Sequence, residues 1–204
     1  MLADSYLTLS TTGQAIFTEK RSKFIAFACH VDTVEDAMSY VEAVKKKYFD
    51  ARHVCWAYAL GVDGETNRSN DDGEPSGSAG KPIWGSLRAK GITHAVVVVV
   101  RYFGGIKLGT GGLAVAYKTA AAQALEQAEV KTCVLMSDVS VFSPFPDLDV
   151  CLRKARNLGA QTKSQTYTAD GCEIVFTIRQ AMKSALREAL KQCYTLRVKD
   201  SDLP

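Results

Sequence analysis

The chain has 204 residues, 47% of them hydrophobic and 23% charged, with a formal net charge of +3. That length can bury one large core or two small ones without disulfides or a structural metal. The composition is that of an ordinary globular protein, with no 18-residue apolar run and no basic, apolar, small-residue leader, so the expected location is the cytoplasm. A pI of 8.5 falls short of the roughly 9 that marks a dedicated electrostatic binder of nucleic acid, so charge alone names no partner. The six cysteines stand singly with no C-x-x-C pair and are read as reduced thiols.

In chain order, "KFIAFACHV" (Lys23 to Val31) is apolar at successive positions, as a strand buried on both faces would be. "VDTVEDAMSYVEAVKKKY" then switches to helical period through Val34, Met38, Val41 and Tyr48. Thr33 fits the N-cap with Asp36 three residues on, and Lys45, Lys46 and Lys47 suit the negative end of the helix dipole. "HVCWAYAL" (His53 to Leu60) reads as a second strand, "IWGSLRAKG" as a short helix stopped by Gly91, and "HAVVVVV" (His94 to Val100) as a third, buried strand. Between the first two lies a polar stretch, residues 61–82, whose apolar residues are Val62 and Ala79 alone. It is expected as a long loop, and a loop of that length inside a compact domain is usually functional or disordered. "LAVAYKTAAAQALEQA" is an alanine-rich helix of high intrinsic propensity.

Beyond residues 132–137 the pattern restarts as a small unit. "DVSVF" reads as a strand, and "PDLDVCLRKARNLG" as a helix with Pro146 near its start and Gly159 at its stop. "AQTKSQTYT" and "CEIVFTI" flank Asp170-Gly171, a favoured two-residue hairpin turn. "QAMKSALREALKQC" is a second helix with Met182, Ala185, Leu186, Ala189 and Leu190 inward, and "YTLRV" a last strand. The order βαββαβ is the ferredoxin-like split motif. The fold expectation is therefore α+β, in two domains spanning residues 1–132 and 137–204.

Three stretches carry candidate chemistry. A strand that ends in glycines and opens into a helix can aim free backbone N–H groups at an anion, and "VVVVVRYFGGIKLGTGGLAVAY" (Val96 to Tyr117) has that form, flanked by Arg101 and Lys107. It fits neither phosphate-loop pattern. Gly104 to Thr110 lacks the lysine a Walker loop requires after Gly109. Gly109 to Ala114 fits G-x-G-x-x-A, but lies too far from the strand end and lacks the following strand-end acid. Two readings stay open for these glycines: an anion cradle, or left-handed turns with close helix-to-sheet packing. The polar stretch offers Asp71, Asp72 and Glu74 as hard oxygen ligands for magnesium or as a solvated turn, and no EF-hand register fits. His53 and Cys55 share one strand face, but no second close pair completes a zinc site, so no metal and no cofactor are expected.

Taken together, "DARHVCWAY", "DDGEPSGSAGKPI" and "VVVVVRYFGGIKLGTGGLAVAY" closely resemble the Impact family over about 130 residues of the N-terminal domain. The resemblance implies that the first domain is similar to the second domain of a small-subunit ribosomal protein and to domain IV of elongation factor G. The C-terminal domain would be similar to domain V of that factor. Eukaryotic relatives regulate translation initiation, competing for the activator of an amino-acid-starvation kinase, and nucleic-acid or ribosome binding is the usual suggestion for bacterial members. The family's motif residues fall here on Arg101, Tyr102, Phe103, Gly104, Gly105, Lys107, Gly109, Gly111 and Gly112, with Lys81 and His53, and on the acidic loop Asp71, Asp72, Glu74 and Ser76.

Three functions are open from these residues and from what the resemblance implies. The first is a translation-associated regulator that binds RNA, the ribosome or a translation factor, with Arg101 and Lys107 on phosphates and Tyr102 or Phe103 stacking a base. The second is a metal-dependent phosphoryl-transfer or phosphoester-hydrolysing enzyme, which requires the acidic and glycine loops to face one another. The third is a pure protein-docking module. The expectation leans away from an enzyme, from membranes and from sequence-specific DNA binding.

Overall fold

A computed structural model describes residues 4–199. The described residues divide into two compact units, one of Tyr6–Cys133 and one that joins residues 4–5 to residues 134–199. Among the described residues no helix is long and apolar enough to cross a membrane.

The first unit is built on a five-stranded antiparallel sheet. After β1 (Ser5–Leu9) come β2 (Gly13–Glu19) and β3 (Ser22–His30), then α1 (Val34–Lys47), β4 (His53–Leu60), β5 (Thr66–Asn70), α2 (Gly80–Lys90), β6 (Ala95–Tyr102), α3 (Gly109–Gln127) and β7 (Val130–Val134). The sheet order is β2-β3-β6-β4-β5, while β1 and β7 pair as a separate two-stranded ladder. The valine run explains the layering. Val97 and Val99 pack with Ile83 and Leu87 of α2 and Leu113, Tyr117 and Ala120 of α3, whereas Val96, Val98 and Val100 pack with Ala37, Val41 and Val44 of α1. Side chains of a strand alternate between faces, so a central strand covered on both sides reads as a continuous apolar run.

Helix boundaries follow local chemistry. The Asp36 N–H donates to Thr33 Oγ1 at 3.0 Å and the Thr33 N–H donates to Asp36 Oδ2 at 3.2 Å, a complete capping box for α1. Gly91 closes α2 in the left-handed region at φ 62°.

The polar stretch 61–82 is not one loop. It contains β5, and α2 begins at Gly80, two residues before the stretch ends. The strand escapes sequence reading because it lies at the sheet edge and is almost wholly exposed, so no apolar alternation marks it.

The second unit runs β8 (Met136–Pro144), a 3₁₀ turn Phe145–Asp147, α4 (Leu148–Asn157), β9 (Gln161–Tyr167), β10 (Gly171–Arg179), a 3₁₀ turn Gln180–Met182, α5 (Lys183–Lys191) and β11 (Arg197–Val198). The element order is βαββαβ and the sheet order β11-β8-β10-β9, with every neighbouring pair antiparallel. Val139, Val141, Ile174 and Phe176 meet Cys151, Ala155, Leu186 and Leu190 in its core. Asp4 also belongs here: its carboxylate accepts from Arg179 Nη2 at 2.8 Å and from the Ala181 N–H at 3.1 Å.

Two local expectations change. The hairpin closes on Thr168 and Gly171, whose N–H···O bond is 2.8 Å, so Ala169 and Asp170 form the loop. Gly171 lies in the strand, where a Cβ would collide with the Ser143 carbonyl, so close approach rather than a turn requires the glycine. In α5 the inward stripe centres on Leu186 and Leu190, which leaves Ala185 exposed.

Candidate functional site

The site begins with one row of side chains across three strands. Register pairs Phe24 of β3 and His53 of β4 directly with Arg101 of β6. By alternation all three project toward the α2 and α3 side of the sheet. The Arg101 guanidinium lies over the Phe24 ring at 5.6 Å and over the Phe103 ring at 5.6 Å.

The acidic loop delivers the counter-charge. Arg101 Nη1 donates to Glu74 Oε1 at 2.6 Å, and the Tyr117 hydroxyl of α3 donates to the same oxygen at 2.7 Å. Arg101 Nη2 reaches Ser22 Oγ at 3.4 Å, and the Gly104 N–H donates to that same hydroxyl at 3.2 Å. Burial pushes the Tyr117 phenol well above its usual range, with the Cys55 thiol and the Glu74 carboxylate adding to the effect. Burial likewise raises the Cys55 thiol, which donates to the Asp71 carbonyl at 3.0 Å.

The loop that carries Glu74 is itself shaped by two aspartates. Asp71 Oδ1 accepts from the Ala79 and Gly80 N–H groups at 2.9 and 2.8 Å, and its Oδ2 accepts from Gly77 N–H at 2.8 Å. Burial on its own would raise this carboxyl, but those three donors together with Lys81 hold it below its ordinary value. Asp71 therefore serves the start of α2, satisfying helix N–H groups that have no partner within the helix. Asp72 Oδ2 accepts from the Val54 N–H at 2.7 Å, and its carbonyl accepts from His53 Nδ1 at 2.8 Å. A carbonyl can only accept, so His53 carries a proton on Nδ1 and, when neutral, keeps its lone pair on Nε2.

Around this base opens a pocket of about 450 Å³ lined by Arg52, His53, Glu74, Arg101, Phe103, Lys107 and the first residues of α3, among others. Helix α3 has no side-chain cap and no acid in its first turn. Its first N–H groups and its positive dipole end stand at the pocket edge with Gly109 and Thr110. Glu74 is the one carboxylate among the lining residues, and Arg101 already neutralises it. What remains is a cationic rim of Arg52 and Lys107 beside an imidazole, with the half-exposed ring of Phe103 available for stacking.

The structure thus brings together His53, Arg101, Phe103, Lys107, Gly109 and Glu74, and the glycine and acidic loops do meet. Other sequence candidates lie elsewhere. Tyr102 projects to the opposite face, where its hydroxyl donates to Asp50 Oδ1 at 2.7 Å, a bond that together with burial pushes the phenol up to about 12. Lys81 lines a different groove beside α2. Gly111 and Gly112 line a neighbouring hollow with Phe17 and Lys20, and Ser76 sits exposed in the acidic loop. Arg101 is a buried partner of Glu74 rather than an open phosphate ligand.

The glycines divide by cause. Gly104 abuts the Arg21 backbone, Gly105 and Gly109 take left-handed φ values of 85° and 72°, and Gly111 faces open space. Arg52 and Thr110, absent from the sequence candidates, also line the pocket; adjacency to His53 and a place in the first turn of α3 were the available signals. Among the described residues no three His, Cys, Asp or Glu side chains converge as a metal cage.

In the first unit the glycine-rich start of α3 thus stands beside a buried arginine–glutamate pair. Residues 20–125 match the family model of the Impact N-terminal domain, and the chain belongs to that family. It is 46% identical over 110 residues to IMPACT family member YigZ of Escherichia coli (strain K12), an alignment covering 53% of this chain and 54% of that one. It is 38% identical over 132 residues to IMPACT family member YvyE of Bacillus subtilis (strain 168), covering 65% and 61%. The matched stretch thus spans between half and two thirds of these curated relatives. A solved crystal structure of a hypothetical protein superposes with a TM-score of 0.71 at 29% identity, covering 100% of both chains.

Proposed function

We propose that this protein is a translation-associated regulator that binds RNA, and that the pocket at the start of α3 holds a phosphate of the bound strand. The observation that carries the reading is the convergence of Arg52, His53, Lys107 and the uncapped α3 N-terminus on one pocket whose lone acid is already paired. Cations and helix N–H groups suit a phosphodiester, and Phe103 offers a stacking surface for a base, as single-stranded RNA recognition requires.

Family membership supports the same direction, since the resemblance to the Impact family implies a role in the regulation of translation. The proposed likenesses of the first unit to domain IV of elongation factor G and a ribosomal-protein domain, and of the βαββαβ unit to a ferredoxin-like domain V, fit a ribosome-associated role. The phosphoryl-transfer alternative draws less support, because Asp71 is occupied by backbone donors and Glu74 by Arg101 and Tyr117.

The test is a salt titration of oligoribonucleotide binding with Lys107→Ala and Arg52→Ala variants. Each substitution is expected to weaken binding and to lower the log–log salt slope by roughly 0.7, the value for one phosphate contact on a single strand. Absence of binding at low salt, or unchanged slopes in both variants, overturns the reading. Binding to ribosomes that survives nuclease treatment points instead to a protein-docking role.

A further inference from the structure

We propose that the groove between α2 and the edge strand β5 is a second contact for single-stranded RNA, separate from the pocket at α3 and resting on the reading of this protein as an RNA binder. Lys81, Trp84 and Arg88 are spaced three and four residues apart and form one stripe along α2. In β5, Asn67 pairs with Ala59 and Ser69 with Ala57. Cross-strand partners share a sheet face, so Asn67 and Ser69 lie on the side where Ala57 and Ala59 meet Ile83 and Leu87 of α2. The helix stripe and the strand thereby enclose a groove of about 640 Å³.

Its lining names the occupant. Lys81 and Arg88 are the charged residues of the groove and no carboxylate lines it, so it complements a polyanion. The Arg88 guanidinium lies over the Trp84 ring at 5.5 Å, holding a cation and an indole side by side. Alternating cations and an aromatic surface are what a single strand requires, because phosphates repeat along its backbone and every base has a stacking face. On the opposite wall the Ser69 hydroxyl, and the amide oxygen of Asn67, whose nitrogen donates to the Gly64 and Glu65 carbonyls, add hydrogen-bonding groups for ribose hydroxyls. An acidic peptide would satisfy the cations but make no use of the part of the Trp84 indole that lines the groove beside Arg88. Gly85 lies in the same groove, and a Cβ added there would meet nothing within 4 Å.

Tryptophan fluorescence reads this groove directly. The chain has two tryptophans, and Trp56 is buried against α1 on the other face of the sheet, so a ligand-dependent change reports Trp84. Titration with a short oligouridylate is expected to quench the emission. Trp84→Phe removes the quench, and Gly85→Glu abolishes it by placing a carboxylate in the groove at a position with room for a Cβ. Lys81→Ala combined with Arg88→Ala lowers the salt slope by roughly 1.4, twice the single-strand value per phosphate. Lys107→Ala weakens affinity but leaves the saturated quench intact.

Filter binding of the same oligouridylate separates the two sites. Bound RNA without any quench overturns the groove and leaves the α3 pocket standing. A quench whose affinity ignores Lys107→Ala and Arg52→Ala supports the groove and overturns the pocket. Quenching by polyglutamate equal to that by oligouridylate overturns the choice of RNA, and no binding in either assay overturns both proposals.

Discussion

Arg101 and Glu74 form an ion pair of 2.6 Å with side chains only 7% and 4% exposed. Two charges so far from water depend on each other, since removing either leaves the other buried and unpaired at a cost of about 3–5 kcal/mol. Glu74→Leu and Arg101→Met are each expected to lower the urea midpoint steeply, and the double variant to recover much of the loss. A single replacement that costs less than about 1 kcal/mol, the range of exposed pairs, would show that the pair does not organise the site. For the same reason Arg101 variants are poor probes of ligand binding.

Asp71 links the acidic loop to α2 through three N–H donors, and its carboxyl lies below the ordinary 3.8. A group whose folded value is depressed contributes stability above its unfolded value and loses it as pH falls through the folded one. Asp71→Ala, which removes a helix-start acceptor, is expected to cost about 1–2 kcal/mol at neutral pH. The difference from the parent should shrink below about pH 4 as the carboxylate protonates. Chemical denaturation at several pH values checks this, and a constant difference across the acid range counts against it.

The glycine run predicts different responses at two nearby positions. A Cβ at Gly104 would strike the Arg21 backbone, which no side-chain movement relieves, so Gly104→Ala is expected to destabilise the first unit. Gly111 sits in the first turn of α3 with open space around it, so Gly111→Ala is expected to be neutral or to stabilise by up to about 1 kcal/mol through helix propensity. Thermal melts should show a lowered midpoint for Gly104→Ala and an unchanged or raised one for Gly111→Ala.

All six cysteines are free, and three of them, Cys55, Cys151 and Cys172, are buried. Burial raises Cys55 and pushes Cys151 up to about 11, which removes the reactive thiolate at neutral pH. Native labelling with a thiol reagent should therefore reach Cys29, Cys133 and Cys193 and spare the other three until the chain unfolds. Mass spectrometry of labelled peptides checks it; rapid labelling of Cys55 in the folded state would contradict its place beneath the acidic loop.

What the sequence determined by itself is local or periodic. Five successive valines can only be buried on both faces, Thr33 and Asp36 fall at capping-box spacing, and Gly91 permits the left-handed turn that ends α2. The three motifs around His53, Asp71 and Arg101 likewise announced a shared family before any geometry was known. The edge strand β5 stayed hidden because its partner is β4 alone and its residues remain in water, so burial never wrote a pattern into them. The direction of Tyr102, away from the pocket that adjacent Arg101 and Phe103 reach, depended on which alternating face of β6 met α1. The role of Arg101 needed the tertiary structure most. Whether a cation waits for a ligand or already holds a carboxylate depends on which side chain the fold brings within 3 Å of it, and Glu74 lies 27 residues away along the chain.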